Sequence, residues 1–395
     1  MQAVILVGGL GTRLGVLTKD TPKPLMPIGD RPFLEYLIQN LSRFGFTNIL
    51  LLAGFRADKI ENHFRDLKQF EHLDIKYSIE KEPAGTAGAL RIAENQLQDE
   101  FLLINGDTFF DMNYLDLVVH DNDLNWIGKM AVKRMECSDR YGSVKLDGSY
   151  VVGFVEKGQT LENVLINCGV YYFRKAVLDY IHELPCSLEN QVLPKLVSDR
   201  ALLGVQYDGY FIDIGIPSDL IKAQAEMPTL KRPAVFFDRD GVLNKDEGYT
   251  HLPEHFEWNP GAKEAVKLVN DLGYYAVVVT NQAGVARGFY DEDTVNRLHF
   301  WMNQELKKIG AHIDAFYYCP HHPQAGTGEY LKDCNCRKPK PGMLLRAAEE
   351  LNIDMQNSLL IGDKDTDLAA AQSAEVNAFK YQGGSLFDFI MHKIR

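Results

Sequence analysis

Far from either terminus, the apolar run Ala234 to Phe237 ends in Asp238, Arg239, Asp240 and Gly241. That junction limits the possible folds more than any other stretch. Four apolar residues with no polar alternation read as a strand buried on both faces, the kind found in parallel sheets covered by helices. Such a strand delivers the residues after it to the carboxyl edge of the sheet, where open α/β proteins carry their chemistry. Two carboxylates two residues apart suit Mg²⁺-dependent phosphoryl transfer. Asp238 is then nucleophile and metal ligand, and Asp240 sits at the same metal, protonates the leaving oxygen and later activates water. An acidic strand-to-loop turn with a glycine stop is the plain alternative.

A sheet beginning this late requires another domain before it, and 395 residues exceed one ordinary core. Residues 1–227 and 233–395 are the expected domains, with 228–232 as linker inside the proline-bearing stretch QAEMPTLKRP. A net charge of −12 argues against nucleic-acid or anionic-membrane partners while leaving room for local phosphate pockets. No apolar run reaches the roughly eighteen residues of a spanning helix, and the chain enters a strand at once, so no signal peptide is expected. Three of the six cysteines fall between Cys319 and Cys336, a clustering unlike a secreted disulfide framework, so a reducing cytoplasm is expected.

The first strand, Ala3 to Val7, leads into Gly8, Gly9, Leu10, Gly11, Thr12 and Arg13, and then Pro22, Lys23 and Pro24. Glycines after a strand let backbone N–H groups approach a phosphate chain, and Arg13 and Lys23 neutralise it. Strands then alternate with helices: helix Phe33 to Phe44, strand Asn48 to Ala53, helix Ala57 to Leu67, strand Ile75 to Ile79. That order predicts a mostly parallel, doubly wound sheet. The segment EPAGTAGAL places Gly85, Thr86 and Gly88 at a helix start, a second point of approach for a nucleotide, although Thr86 can equally be an ordinary cap. Asp107 after strand Phe101 to Asn105, and Asp213 within YFIDIGIP, are candidate Mg²⁺ ligands. Glu156, Lys157, Asn167 and Gly169 lie at strand ends where polar groups reach sugar hydroxyls or simply face solvent.

With VILVGGLGTRL, PKPLMPIGDRPFLEYLI, EPAGTAGAL, NGDTFF, VEKG, INCGVYYF and GYFIDIGIP, residues 1–227 resemble the sugar-phosphate nucleotidyltransferases, and among these the heptose 1-phosphate guanylyltransferases. The resemblance implies phosphate contacts from Arg13 and Lys23, and a nucleoside bordered by Gly8, Gly9, Gly85 and Gly88. It implies Mg²⁺ on Asp107 and Asp213, and sugar phosphate beside Glu156, Lys157, Asn167 and Gly169. No protein nucleophile is needed: the sugar phosphate attacks the α-phosphorus of GTP in line, and pyrophosphate leaves.

In the second half, strand Tyr275 to Val279 is followed by Thr280, Asn281 and Gln282, helix Gly261 to Leu272 precedes it, and strand Ser358 to Ile361 ends in GDKDTD. Thr280 can hold a phosphoryl oxygen or merely cap a turn. Cys319, His321, Cys334 and Cys336 supply three thiols and an imidazole at metal-ligand spacing, enough for a closed structural Zn²⁺ site, with His322 a rival for His321. Asp238, Asp240, Thr280, Lys338 and Asp363 resemble the ordered set of the haloacid dehalogenase-like phosphatases. CPHHP, CNCRKPKPGM and TNQAGVARG narrow the resemblance to heptose bisphosphate phosphatases, with histidinol-phosphate phosphatases close by. It implies an aspartyl-phosphate on Asp238, acid/base work by Asp240, neutralisation by Lys338, and Mg²⁺ completed by Asp363 with support from Asp367. Substrate contacts are implied for Asn281, Arg287, Arg337 and Lys364. The expected whole is two Rossmann-like α/β domains acting in succession on heptose bisphosphate and heptose 1-phosphate, and self-association stays open. A mannose 1-phosphate nucleotidyltransferase joined to a histidinol-phosphate phosphatase, or a sensor with one inactive half, are the competing readings.

Overall fold

The computed structural model describes all residues except 10–13, 16, 17, 66, 120–124, 139–141, 156–160 and 395. The chain forms two compact units, Met1–Leu230 and Lys231–Arg395.

The first unit is built on a nine-stranded sheet. Its order is Asp74–Ile79, Asn48–Ala53, Gln2–Leu6, Glu100–Asn105, Leu161–Arg174, Gly128–Ser138, Leu202–Gln206, Tyr150–Val155 and Ser143–Asp147. The first four strands are mutually parallel, as the strand and helix alternation predicts. Beyond them, Leu161–Arg174 pairs antiparallel with both neighbours, so the parallel half continues into a mixed half that alternation alone does not reveal. Adjacent residues of one strand enter opposite cores: Ala3 and Ile5 pack on one face, Val4 on the other. Helix Phe33–Arg43 covers the first face because Leu34, Leu37, Ile38 and Leu41 recur at helical spacing and are all fully buried. Each such burial contributes about 1.5–3 kcal/mol. A two-stranded antiparallel ribbon, Thr108–Phe110 with Phe211–Asp213, lies outside the large sheet and aligns Asp213 with Thr108.

The second unit is a five-stranded parallel sheet in the order Ala315–Cys319, Tyr275–Asn281, Ala234–Phe237, Leu359–Gly362 and Asn377–Lys380. Ala234–Phe237 is central and wholly buried, with Val235 and Phe237 in one core and Ala234 and Phe236 in the other. Strand Tyr275–Asn281 runs two residues beyond the expected end, so Thr280 and Asn281 belong to the strand itself. Among the described residues, no helix is long and apolar enough to cross a membrane.

Two candidate active sites and a candidate metal cluster

In the second unit, the central strand and its neighbour Leu359–Gly362 carry Asp238 and Asp363 to the same carboxyl edge. Carboxylate oxygens of Asp238, Asp363 and Asp367 lie within 4.8 Å of one another. Gly241 makes the approach feasible: its φ is +97°, and a Cβ there would stand 2.4 Å from Asp363 Oδ2. Lys338 Nζ lies 2.9 Å from Asp238 Oδ1 and 2.6 Å from Asp367 Oδ1, and donates to the Val279 carbonyl at 2.8 Å. Burial pushes the Asp238 carboxyl up to about 6 although the ammonium opposes it. Burial disfavours the Lys338 ammonium, but Asp238 and Asp367 outweigh it and raise its proton affinity. Asp363 Oδ1 is buried with no hydrogen-bond partner. A cluster of hard oxygen donors with an orphaned lone pair fits a divalent cation.

Asp240 departs from the expectation. Its carboxylate is outside that cluster and is held by fully buried Arg239, whose Nη2 lies 2.9 Å from both oxygens, by Asn244 at 3.1 Å and by Gln282 at 2.9 Å. Asp367 takes its place in the carboxylate group. Both Asp238 and Asp240 line a cavity of about 250 Å³ together with Thr280, Asn281, Lys338 and Lys364. Gln282 also donates to Thr280 Oγ1 at 2.9 Å, so it fixes acid and hydroxyl together. The Asn281 side-chain amide exchanges two 3.1 Å hydrogen bonds with the Lys338 backbone, which ties the lysine loop to the strand. Lys364 pairs with Asp246 at 2.9 Å, Arg337 donates to the His321 carbonyl at 3.1 Å, and exposed Arg287 lies over the Tyr249 ring.

Next to this loop, ligand atoms of Cys319, His321, Cys334 and Cys336 lie within 4.8 Å of one another. Sulfur separations of 3.2–3.4 Å are far too long for disulfides. His321 Nδ1 is 3.5 Å from Cys336 Sγ. His322 is not among these clustered ligand atoms, and its Nδ1 accepts the Ala325 N–H at 2.9 Å. The donors suit a thiophilic cation with no open position.

In the first unit, the two-stranded ribbon brings Asp107 and Asp213 together around Lys23, which hydrogen-bonds Asp107 and lies 3.8 Å from Asp213 Oδ1. Burial and the neighbouring Asp107 push Asp213 up to about 6, against Lys23. Two carboxylates sharing one cation are a fitting site for a divalent ion. On one side, a cavity of about 400 Å³ is lined by Gly8, Gly9, Glu80, Gly85 and Thr86. On the other, a cavity of about 590 Å³ is lined by Asn105, Thr108, Asn167, Gly169, Glu189 and Asp213.

Several expected contacts have other partners. Gly88 is buried against Ala84 and Leu184 and does not line the cavity bordered by Gly8, Gly9 and Gly85. The Thr86 hydroxyl and the Asn167 amide are engaged within the protein, the latter donating to Tyr171 Oη at 2.7 Å and accepting from Gly169 N at 2.9 Å. Gly11, Thr12, Arg13, Glu156 and Lys157 lie outside the described residues. Sequence reasoning passed over Glu80 and Glu189 because a lone acid in a polar segment looks solvated. It passed over Arg239 because an arginine between two aspartates looks exposed.

Residues 2–229 match the nucleotidyl transferase family, and residues 335–385 the HAD-hydrolase-like family. The chain is 39% identical over 222 residues to D-glycero-alpha-D-manno-heptose 1-phosphate guanylyltransferase of Campylobacter jejuni, covering 55% of this chain and 96% of that protein. Over 145 residues it is 48% identical to D-glycero-beta-D-manno-heptose-1,7-bisphosphate 7-phosphatase of Pasteurella multocida, covering 37% of this chain and 78% of that protein. The crystal structure of HddC from Yersinia pseudotuberculosis complexed with GMP-PN is 33% identical and superposes with a TM-score of 0.51, covering 57% of this chain and 99% of that one. Ribbon-bound acids beside a glycine-lined cavity, and strand-end acids bridged by a lysine, thus accompany two sets of relatives: the chain belongs to the nucleotidyl transferase family through residues 2–229 and to the HAD-like heptose bisphosphate phosphatases through its second unit.

Proposed function

We propose that the chain is a bifunctional enzyme that removes the 7-phosphate of D-glycero-D-manno-heptose 1,7-bisphosphate and then transfers GMP from GTP to the resulting heptose 1-phosphate. The observation carrying this reading is that relatives of two successive reactions share one chain, each with its own carboxylate centre.

In the phosphatase unit, Asp238 attacks the phosphorus of the 7-phosphate while Asp240 gives a proton to the departing sugar oxygen. Water then attacks the aspartyl-phosphate, returns a proton to Asp240 and releases inorganic phosphate. Lys338 neutralises the phosphoryl oxygens, and Thr280 donates to one of them. Mg²⁺ on Asp238, Asp363 and Asp367, when bound, supplies Lewis-acid charge. Zn²⁺ would fit the cysteine cluster, where Cys319, Cys334 and Cys336 would hold it as thiolates and His321 as a neutral imidazole. Its role is structural, fixing the loop that carries Arg337 and Lys338.

In the nucleotidyl unit, Lys23 and Arg13 hold the phosphates, and Asp107 and Asp213 hold Mg²⁺, which neutralises charge on the triphosphate. The smaller cavity takes the nucleoside and the larger one the sugar. Glu80 supports GTP as donor. Its Oε2 accepts the Ala84 N–H at 3.1 Å, and its Oε1 lies 2.9 Å from where a Cβ on Gly8 would stand. An acceptor-only carboxylate matches the two adjacent N–H donors on the guanine edge and mismatches the ring acceptor of adenine.

The relatives differ in anomer, β for the phosphatase and α for the guanylyltransferase, so the test supplies both. Purified chain receives α- or β-heptose 1,7-bisphosphate, GTP and Mg²⁺, with Asp238→Asn and Asp107→Asn variants alongside. Wild type should release phosphate and then pyrophosphate. The Asp238 variant should leave bisphosphate untouched, and the Asp107 variant should stop at heptose 1-phosphate. Absence of a GDP-sugar with either anomer would overturn the reading.

A further inference from the structure

A side-chain hydrogen bond links the linings of the two cavities of the nucleotidyl unit. Thr86 lines the nucleotide-side cavity and Glu189 the other. Thr86 Oγ1 donates to Glu189 Oε2 at 3.0 Å and accepts the Leu188 N–H at 2.8 Å. Glu189 sits in a single π-helical turn, Leu188–Val192, a local geometry frequent at functional positions. Backbone bonds fasten this turn to the nucleotide side, with Cys186 O accepting from Ala87 N at 3.0 Å and Gly88 N at 3.2 Å. Glu189 Oε2 also accepts from Ser187 Oγ at 3.4 Å, which leaves Oε1 as the oxygen available to the cavity.

We propose that Glu189 is the specificity-determining residue of the sugar cavity, and that Thr86 is its positioning residue. The proposal rests on the reading that this cavity holds the sugar phosphate. An ionised carboxylate accepts hydrogen bonds from vicinal hydroxyls and repels phosphate. The sugar therefore lies with its 1-phosphate toward the Lys23 ammonium and its hydroxyls toward Glu189. A ligand carrying a second phosphate at the hydroxyl end brings like charges together, which interfaces use to reject wrong partners. Glu189 thus makes the nucleotidyl unit take only sugar that has already lost its second phosphate. The class of reaction that must precede it is phosphomonoester hydrolysis at the sugar's far end, so the order of the two reactions is written into the second site as well as the first.

The test measures pyrophosphate release by the full chain with heptose 1-phosphate and GTP for wild type, Glu189→Gln, Thr86→Val and Thr86→Ser. Glu189→Gln should raise KM for the sugar phosphate roughly tenfold to a hundredfold, the range for a hydrogen bond to a charged group, with KM for GTP within about twofold. Thr86→Val should raise the same sugar KM, Thr86→Ser should restore it, and Thr86→Val should add nothing further in the Glu189→Gln background. With the phosphatase blocked by Asp238→Asn, heptose 1,7-bisphosphate should be a poor acceptor, and Glu189→Gln should improve it relative to heptose 1-phosphate by roughly tenfold or more. An unchanged sugar KM in Glu189→Gln, or unchanged discrimination against bisphosphate, overturns the proposal while leaving the nucleotidyl reading intact. A wild-type chain inert toward every sugar 1-phosphate overturns that reading, and the proposal falls with it.

Discussion

Replacing Lys338 with methionine keeps most of the side-chain volume and removes the ammonium that bridges Asp238 and Asp367. Breaking a buried pair by deleting one partner costs about 3–5 kcal/mol, because the remaining charge is stranded. Here the cost depends on pH with a definite sign. Asp238 is already raised from 3.8 to about 6, so the folded state holds its proton more tightly than the unfolded state, and stability is lost as pH rises through that range. Without the ammonium, which works against the rise, the carboxyl moves higher still. The variant should therefore lose most of that 3–5 kcal/mol at pH 8, where Asp238 is ionised, and much less at pH 5, where protonation of Asp238 relieves it. Amide hydrogen exchange in the strands Ala234–Phe237 and Leu359–Gly362 reads this unit alone, in buffer without added divalent cation and after correction for intrinsic exchange. Phosphate release should fall by about a hundredfold or more, the scale for one lost electrostatic donor at a reacting group. Pyrophosphate release from the other unit should be unaltered. Equal destabilisation at pH 5 and pH 8 would refute the electrostatic account and leave only a packing role for Lys338.

Stripping the cysteine cluster with a thiophilic chelator should abolish phosphate release while sparing pyrophosphate release, because Lys338 lies two residues beyond Cys336; re-addition of Zn²⁺ should restore it, and full phosphatase activity in stripped protein would contradict the structural role. Because burial and Asp107 raise Asp213 to about 6, Mg²⁺ must displace a proton below that pH. Magnesium affinity of the nucleotidyl unit should then fall toward tenfold per pH unit below about 6, measured by titration calorimetry, and a flat profile from pH 5 to 8 would count against it. Gly85→Ala forces φ of +80° on a residue with a Cβ and places that atom 2.4 Å from the Cys186 carbonyl. It should destabilise the first unit by about 1–3 kcal/mol and raise KM for GTP, as read by thermal unfolding and initial rates.

Both halves were legible in the sequence wherever an apolar strand ended directly in a reactive residue. Asp238, Asp363, Asp107 and the cysteine cluster could be named from neighbours along the chain, because strand burial fixes where the next side chain emerges. The unread parts depend on contacts distant in sequence. The resemblance gave Asp367 only a supporting place, because its contact with Lys338, 29 positions earlier, is not visible along the chain. Arg239 is wholly buried only because Asp240, Gln282 and the Thr250 carbonyl converge on it. Glu189 gains a role through Thr86, 103 positions away. The mixed half of the large sheet was hidden for the same reason, since its pairings join Leu161–Arg174 to strands that no local pattern matches to it.

Each unit closes its own sheet, and among the described residues no strand pairs across the division after Leu230. What a single chain does impose is a fixed dose: every molecule translated supplies one phosphatase and one nucleotidyl centre. Flux through the pair is then set by the slower centre's turnover and cannot be rebalanced by making more of one protein. Selection on either rate constant is therefore felt by both.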